Sequence, residues 1–220
     1  MHAHVNSRLL LEGIEPIGRD RFFDALRQRA MLVKPLRRFV RTTNSYHRFR
    51  KHKNLLKNTI QTGSNQAYAG DITYLRLRSG FCYLSLLTDV YSRKIVGYHL
   101  SQSLGVEGSL MALQMAIRQC PNPEGVIHHS DRGIQYCCDA YAQLLEANKM
   151  AVSMTEENHC YENGLAERVN ETLKYDLMLG ETMPSFSIAK KAVKEAIAIY
   201  NQERWHQALG YLTPEQKHVA

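Results

Sequence analysis

Apolar residues recur along this chain with two different periods, and the change falls near residue 70. Residues 19–30, RDRFFDALRQRA, put Phe22, Phe23, Leu26 and Ala30 on one side of a helix and arginines elsewhere. Pro35 and the stretch RTTNSYH break that period and predict an extended linker. From Asp71 the period shortens. DITYLRLR, FCYLSLLTDV and SRKIVGYHLS are rich in β-branched and aromatic residues and are separated by the turn signals SG and DVYS. Three strands with such short connections predict an antiparallel meander. VEGSLMALQMAIRQC then predicts a helix that stops at Pro121, GVIHH a short buried strand, 137–147 a helix and AVSM another strand. GLAERVNETLKYDLML and SIAKKAVKEAIAIYN predict two further helices, separated by Pro184. Alternation of strand and helix after a meander predicts an α/β fold, a mixed sheet with helices on its faces.

Composition narrows the class. A chain of 220 residues with 44% hydrophobic and 22% charged residues can bury one full core and a small accessory unit. No apolar run approaches the roughly 20 residues that cross a bilayer, and the first residues lack the pattern of a secretory signal, so no membrane partner is expected. Five cysteines form no CxxC pair, which predicts reduced thiols in the cytoplasm and no zinc framework. The net charge of +7 is unevenly spread: residues 1–60 carry 14 Lys/Arg against 4 Asp/Glu, the rest 14 against 17. No acid lies between Asp24 and Asp71. Such a segment repels itself unless a polyanion neutralises it. A solvated basic arm is one reading. Phosphate contact is the sharper one, because Phe39, Tyr46 and Phe49 are interleaved with the cations. DNA is the expected partner, with Arg37, Arg38, Arg41, Arg48, Arg50, Lys51 and Lys53 as its candidate contacts. The chain thus divides into two units: 1–60, basic, mostly helical and ending in a linker, and 61–220, the core with a C-terminal helix and tail.

Which acids could act together? In IHHSDRGIQY, Asp131 ends the fourth strand, where ligand sites of parallel sheets commonly lie, and Gly133 allows a tight turn after it. Asp71 opens the first strand and needs a neighbour to bring it alongside. On the helix that carries Glu167, the residues Leu165, Val169 and Leu173 form a stripe opposite it, while Glu171 and Lys174 share its side. That pattern permits a site and equally permits a solvated amphipathic face. His129 points to the same side as Asp131 and reads as a packed histidine. Asp89 reads as the capping acid of a turn, Arg132 as a contact to substrate or to a nearby acid, and Cys137-Cys138 as small apolar groups starting a helix.

Taken in order, these residues resemble a known family. The stretches DITYLRLRSGFCYLSLLTDVYSRKIVGYHL, HHSDRGIQY, ENGLAERVNETLK and YNQERWHQALGYLTPEQ occur in the order found in DDE transposases of bacterial insertion sequences, of the OrfB type with a retroviral-integrase-like core. Asp71 and Asp131 have 59 residues between them, and Asp131 and Glu167 have 35, the family's interval for its last two acids. The resemblance covers about residues 18–217 and implies that Asp71, Asp131 and Glu167 are the catalytic and metal-binding triad. It implies an RNase H-like mixed five-stranded sheet flanked by helices, with a basic helical segment before it, and this fold brings the first and fourth strands together. Two departures are mild: Tyr68 stands where the family usually has tryptophan, and Glu162-Asn163 replaces the usual Asp-Asn pair. Relatives commonly carry more sequence upstream, so a shortened N-terminus is a further expectation.

The resemblance also implies concrete chemistry. Three carboxylates suit Mg²⁺ or Mn²⁺, and a pair of ions about 3.5–4 Å apart would clamp the attacking and leaving oxygens of a displacement at phosphorus. The implied substrates are the element's terminal repeats and target DNA, with Lys174 near a phosphate of the transposon end. The implied setting is the bacterial nucleoid, with homo-oligomers on DNA and a separately encoded helix-turn-helix partner. Two other readings compete: a truncated, inactive remnant that occupies element ends, and an RNase H-like nuclease. Tyr200, Asn201, Arg204 and His206 match a C-terminal family motif that is expected to close the core against the last helix.

Overall fold

A computed structural model describes residues 1–32, 48–57, 59–156 and 163–220. Two helices, α1 (His2–Leu11) and α2 (Arg19–Gln28), come first. The meander is built from β1 (Ala67–Leu77), β2 (Gly80–Asp89) and β3 (Ile95–Ser101). After α3 (Val106–Gln119) come β4 (Ile127–Ser130), α4 (Ile134–Cys137), α5 (Asp139–Ala147) and β5 (Ala151–Met154). The chain ends with α6 (Gly164–Glu171), α7 (Phe186–Gln202) and α8 (Pro214–Val219). The five strands form one sheet in the order β3-β2-β1-β4-β5, antiparallel through the meander and parallel from β1 to β4 and from β4 to β5.

Helices cover both faces of this sheet, which is why β2 reads as a nearly unbroken apolar run. On one face Leu75, Leu84 and Leu86 meet Val169 of α6 and Leu173 just beyond it, and Val193, Ile197 and Tyr200 of α7. On the other, Tyr68, Leu87 and Val96 meet Ala112, Leu113 and Ala116 of α3 and Tyr141 and Leu145 of α5. Gly97 makes the second contact possible: a Cβ there would lie 2.1 Å from the Ala112 carbonyl oxygen. No helix among the described residues is long and apolar enough to cross a membrane.

The structure corrects several expected boundaries. β1 starts at Ala67, so Asp71 lies inside the strand rather than opening it. Ala67-Tyr68-Ala69-Gly70 has no β-branched residue, and its strand state comes from pairing on both edges, parallel with β4 and antiparallel with β2. The helix expected over 137–147 is two, broken at Cys138, which takes an extended conformation with ψ 153° before α5. The helix from Gly164 gives way at Thr172–Asp176 to a π-helical turn. α1 went unforeseen because none of its residues is buried, so no apolar stripe marks it. The linker around Pro35 lies outside the described residues.

The C-terminal motif closes the meander. Asn201 accepts a hydrogen bond from the Ile95 amide (2.9 Å) and donates to the Ile95 carbonyl (3.0 Å), clamping the start of β3 to the end of α7. Tyr200 is buried edge-on against His206, and Arg204 pairs with Asp176 (2.7 Å). Asp89 caps the β2–β3 turn, accepting from the Ser92 amide and hydroxyl (2.7 and 2.8 Å) and from the Asn65 amide (2.7 Å). Replacing Asn201 by Ala leaves a buried amide and carbonyl unpaired, at a cost of roughly 2–3 kcal/mol. The expected result is a Tm lower by about 5–10 °C in a thermal melt; an unchanged Tm would show the clamp to be dispensable.

Candidate active site

Parallel pairing of β1 with β4 builds the site. The register matches Ala69 with His129 and Gly70 with Ser130. β4 ends there, so Asp71 and Asp131 are the next residues on neighbouring strands. Side chains at matched positions of a parallel pair project to the same face. The two aspartates share one small open depression with Ile72, Leu104, Gly133, Gln135 and Tyr136. The pairing of β1 with β4 stops at Gly70; farther on Met183 bridges the same edge at Leu77, and α6 lies near β1.

Gly133 serves this arrangement differently from what its sequence position suggests. Its φ of −66° is open to any residue. Space is the constraint: a Cβ there would come within 3.0 Å of Asp131 Oδ1 and 3.3 Å of Gln135 Oε1. The Gly133 amide donates to that same Asp131 oxygen at 3.0 Å, fixing the carboxylate's orientation.

Asp71 retains some solvent access as a residue, yet its carboxyl is the enclosed part. Burial, then the neighbouring Asp131 charge, push its pKa up to about 7, and Glu167 adds to the rise. Hydrogen bonds from the Ile72 amide to Oδ1 (2.9 Å) and from Asn170 Nδ2 to Oδ2 (2.6 Å) oppose the rise without cancelling it. Ionised Asp71 therefore stands beside two further acids, and the Lys174 ammonium within its electrostatic reach does not offset them.

Glu167 stands on the exposed side of α6, within electrostatic reach of Asp71. Its helix is tied to β1 on either side of it. Asn163 Nδ2 donates to the Gly70 carbonyl (3.1 Å), and Asn170 reaches Asp71. One turn on, the Lys174 ammonium sits 4.5 Å from the centre of the Tyr74 ring. Burial lowers the Lys174 pKa while the Asp71 charge supports its protonation. The π-helical turn that carries it is of a kind that recurs at functional sites. Among the described residues, no three His, Cys, Asp or Glu side chains stand close enough to hold a metal ion. The three carboxylates thus share a neighbourhood, with two gathered and the third on the adjoining helix.

Other expected site residues fall in three groups. Arg37, Arg38 and Arg41 lie outside the described residues. Arg48, Arg50, Lys51 and Lys53 belong to a segment that runs along the edge of β5, where the Met154 amide donates to the Lys53 carbonyl (3.4 Å) and the Leu55 amide to Ser153 Oγ (2.8 Å). Arg50 lines a wider cavity together with Tyr136 and Cys137, and Tyr136 also lines the depression, so this basic segment comes near one wall of it. Arg132 donates to the Thr155 carbonyl (2.8 Å), and His129 shares a hydrogen bond with Ser153 (2.8 Å), both structural roles. Sequence reasoning missed Asn163 and Asn170, although they stand four before and three after Glu167 at helical spacing. It missed Tyr136 too; nothing in that residue's sequence context separates it from a core aromatic.

The chain is similar to known proteins over most of its length. Two integrase core domain models match residues 61–160 and 148–214. The chain is 36% identical over 200 residues to an uncharacterized 31 kDa protein of insertion element IS600 from Shigella sonnei, covering 90% of this chain and 74% of that one. It is 35% identical over 194 residues to transposase InsF for insertion sequence IS3A from Escherichia coli K12, covering 87% and 67%. Among solved structures, the HTLV-2 integrase catalytic core domain in complex with magnesium superposes with a TM-score of 0.58 at 17% identity, over 72% of this chain and 99% of that one. A simian T-cell lymphotropic virus intasome in complex with a PP2A regulatory subunit gives a TM-score of 0.64 at 18% identity, over 82% and 62%. Those two likenesses show the RNase H-like integrase fold.

Proposed function

The chain belongs to the insertion-sequence transposases with an integrase core, enzymes of the DDE transposase/integrase type, and on that premise we propose that Asp71, Asp131 and Glu167 carry out metal-dependent cleavage and strand transfer of an element's DNA ends. The observation that carries the reading is the register that seats Asp71 beside Asp131 at the end of β4. The donor set fits a divalent cation: hard carboxylate oxygens only, one of them on a buried acid whose ionisation is uphill without added positive charge. Mg²⁺ or Mn²⁺, as a pair of ions, would be held by Asp71 and Asp131, with Glu167 turning in from α6. When bound, such ions supply Lewis acidity at phosphorus and a stronger nucleophile.

The chain's own residues do the rest. Asn170 holds one Asp71 oxygen and so orients the carboxylate. Asn163 anchors the start of α6 to the backbone just before Asp71, keeping Glu167 near the depression. Lys174, propped on Tyr74, is poised to contact a phosphate of the transposon end. Arg48, Arg50, Lys51 and Lys53 offer further phosphate contacts along the β5 edge, and Arg37, Arg38 and Arg41, outside the described residues, are candidates by sequence alone. In the first step water attacks the phosphorus at the element's end and the bond to the 3′ oxygen breaks, leaving a 3′-hydroxyl. That hydroxyl then attacks a target phosphodiester and releases a target 3′-hydroxyl. No protein–DNA bond forms. Two ends held at once require more than one copy on DNA, and a separately encoded helix-turn-helix partner completes the reading.

A direct assay decides among the possibilities. The protein is incubated with a labelled terminal-repeat oligonucleotide, a plasmid target and Mg²⁺. Joined oligonucleotide–plasmid products are the expected outcome. Binding without joining would mark an inactive occupant of element ends, and degradation of RNA–DNA hybrids would mark a nuclease.

A further inference from the structure

One buried polar group beside the aspartates has no structural task. Tyr136 is 4% exposed and lines the same depression as Asp71 and Asp131. Its ring is fixed by aromatic contacts, edge-on to Tyr141 (5.4 Å, 84°) and tilted against His128 (5.8 Å). The hydroxyl of Tyr141 is satisfied by His128 Nε2 at 2.8 Å. The hydroxyl of Tyr136 makes no hydrogen bond of normal distance and angle with any described residue; the Ser109 side chain is near enough for a weak one, which leaves most of the hydroxyl's bonding capacity unused. Buried hydroxyls are rarely left in that state unless a water or ligand completes them. A phenol hydroxyl is both a donor and an acceptor, so it can meet a water from either side.

The depression has room for about one water molecule, and two carboxylates and a phenol supply the polar partners such a water needs. Mg²⁺ keeps several of its waters when only one or two carboxylates hold it. From this arrangement we propose that Tyr136 is a positioning residue of the cation site: its phenol fixes one water of the hydrated divalent cation that Asp71 and Asp131 take. The role rests on the cation-binding reading of those aspartates. It resembles the outer partners that orient metal ligands elsewhere, whose loss typically costs about 10–100-fold in affinity.

The test uses the whole chain without DNA. Mn²⁺ binding is titrated by electron paramagnetic resonance of the free ion for the wild type, Tyr136→Phe and Asp131→Asn. The Phe variant removes a hydroxyl that makes no hydrogen bond of normal distance and angle with any described residue, so its Tm is expected to stay level or rise slightly. Its Mn²⁺ affinity is expected to fall about 10-fold, and the Mg²⁺ concentration for half-maximal strand joining to rise in parallel. Wild-type Mn²⁺ affinity in a folded Tyr136→Phe protein would overturn the role. If Asp131→Asn also binds Mn²⁺ like the wild type, the aspartate reading itself has failed, a result distinct from failure at Tyr136 alone.

Discussion

Asp131→Asn is expected to lower strand cleavage and strand transfer by about 10³-fold or more while leaving DNA binding within about twofold. The amide is nearly isosteric with the carboxylate, and its oxygen can still accept from the Gly133 amide that now orients Oδ1. The turn after β4 therefore survives. What disappears is one unit of negative charge at the mouth of the depression. Catalysis at phosphorus depends on the ions which that charge would recruit, and several kcal/mol of transition-state stabilisation go with them. On the proposed reading, DNA binding would draw on cations elsewhere, on the β5 edge and beside Tyr74, and losing an anion near the path would not weaken it. The same substitution carries an internal check. The Asp131 charge is the second-largest cause of the high Asp71 pKa, so that pKa is expected to drop below its present value of about 7 in the variant. Carbon-13 NMR of the Asp71 carboxyl would detect it. Strand transfer at wild-type rate in Mg²⁺ would remove Asp131 from the mechanism. An unmoved Asp71 titration would mean that the two acids are not neighbours in solution.

The periods of the apolar pattern suffice for β2, β3, α3 and α7, because each buries a face or a stripe large enough to mark itself, and for α2, whose apolar side shows in the sequence although Phe22 alone is buried. They cannot place Asp71. The strand around it begins before Asp71, and the parallel pairing that sets Asp71 beside Asp131 comes from β4, some 60 positions away, while β2 pairs with its other edge. Long-range pairing leaves no local trace, and it is the family resemblance that implies the first and fourth strands meet. The structure shows that meeting and adds its register. Gly133 illustrates a different loss: a glycine between a carboxylate and a helix suggests a turn, yet the reason for it is the room that Asp131 and Gln135 occupy. Asn163 and Asn170 are legible by spacing but not by chemistry, since an amide facing a strand looks like any polar residue on a helix. Lys174 is expected on the Glu167 side, and its aromatic support from Tyr74 comes only with the fold. The same holds for the basic segment: its charge is plain, while its course along β5 depends on two backbone donors and one serine.

Asp71→Asn is expected to do two opposite things: abolish strand transfer and stabilise the metal-free fold. The second effect is a matter of linkage. Asp71 titrates near 7 in the folded protein and near 4 in an unfolded chain. Between those values the native state holds a proton that the unfolded state has released, so stability falls as pH rises through this window. Below about pH 4 both states are protonated and the group contributes nothing. Above about pH 7 the penalty is complete, roughly 2–4 kcal/mol once residual solvent contact is allowed for. A neutral amide escapes it. The amide has one acceptor oxygen, enough for the Ile72 amide or for Asn170 Nδ2 but not both; turned to Asn170 it also offers a donor to Asn170 Oδ1, which is buried without a partner among the described residues, and so offsets the lost bond. In a chelating buffer at about pH 8 the variant is therefore expected to melt about 5–10 °C above the wild type, with the gap closing as pH approaches about 4. Added Mg²⁺ should raise the wild-type Tm by more than the variant's, because the variant offers the ion only Asp131 and Glu167. A variant that melts at or below the wild type under those alkaline conditions would mean that the Asp71 carboxyl is already compensated, and the claim that this site stores its need for a cation as a folding penalty would fall with it.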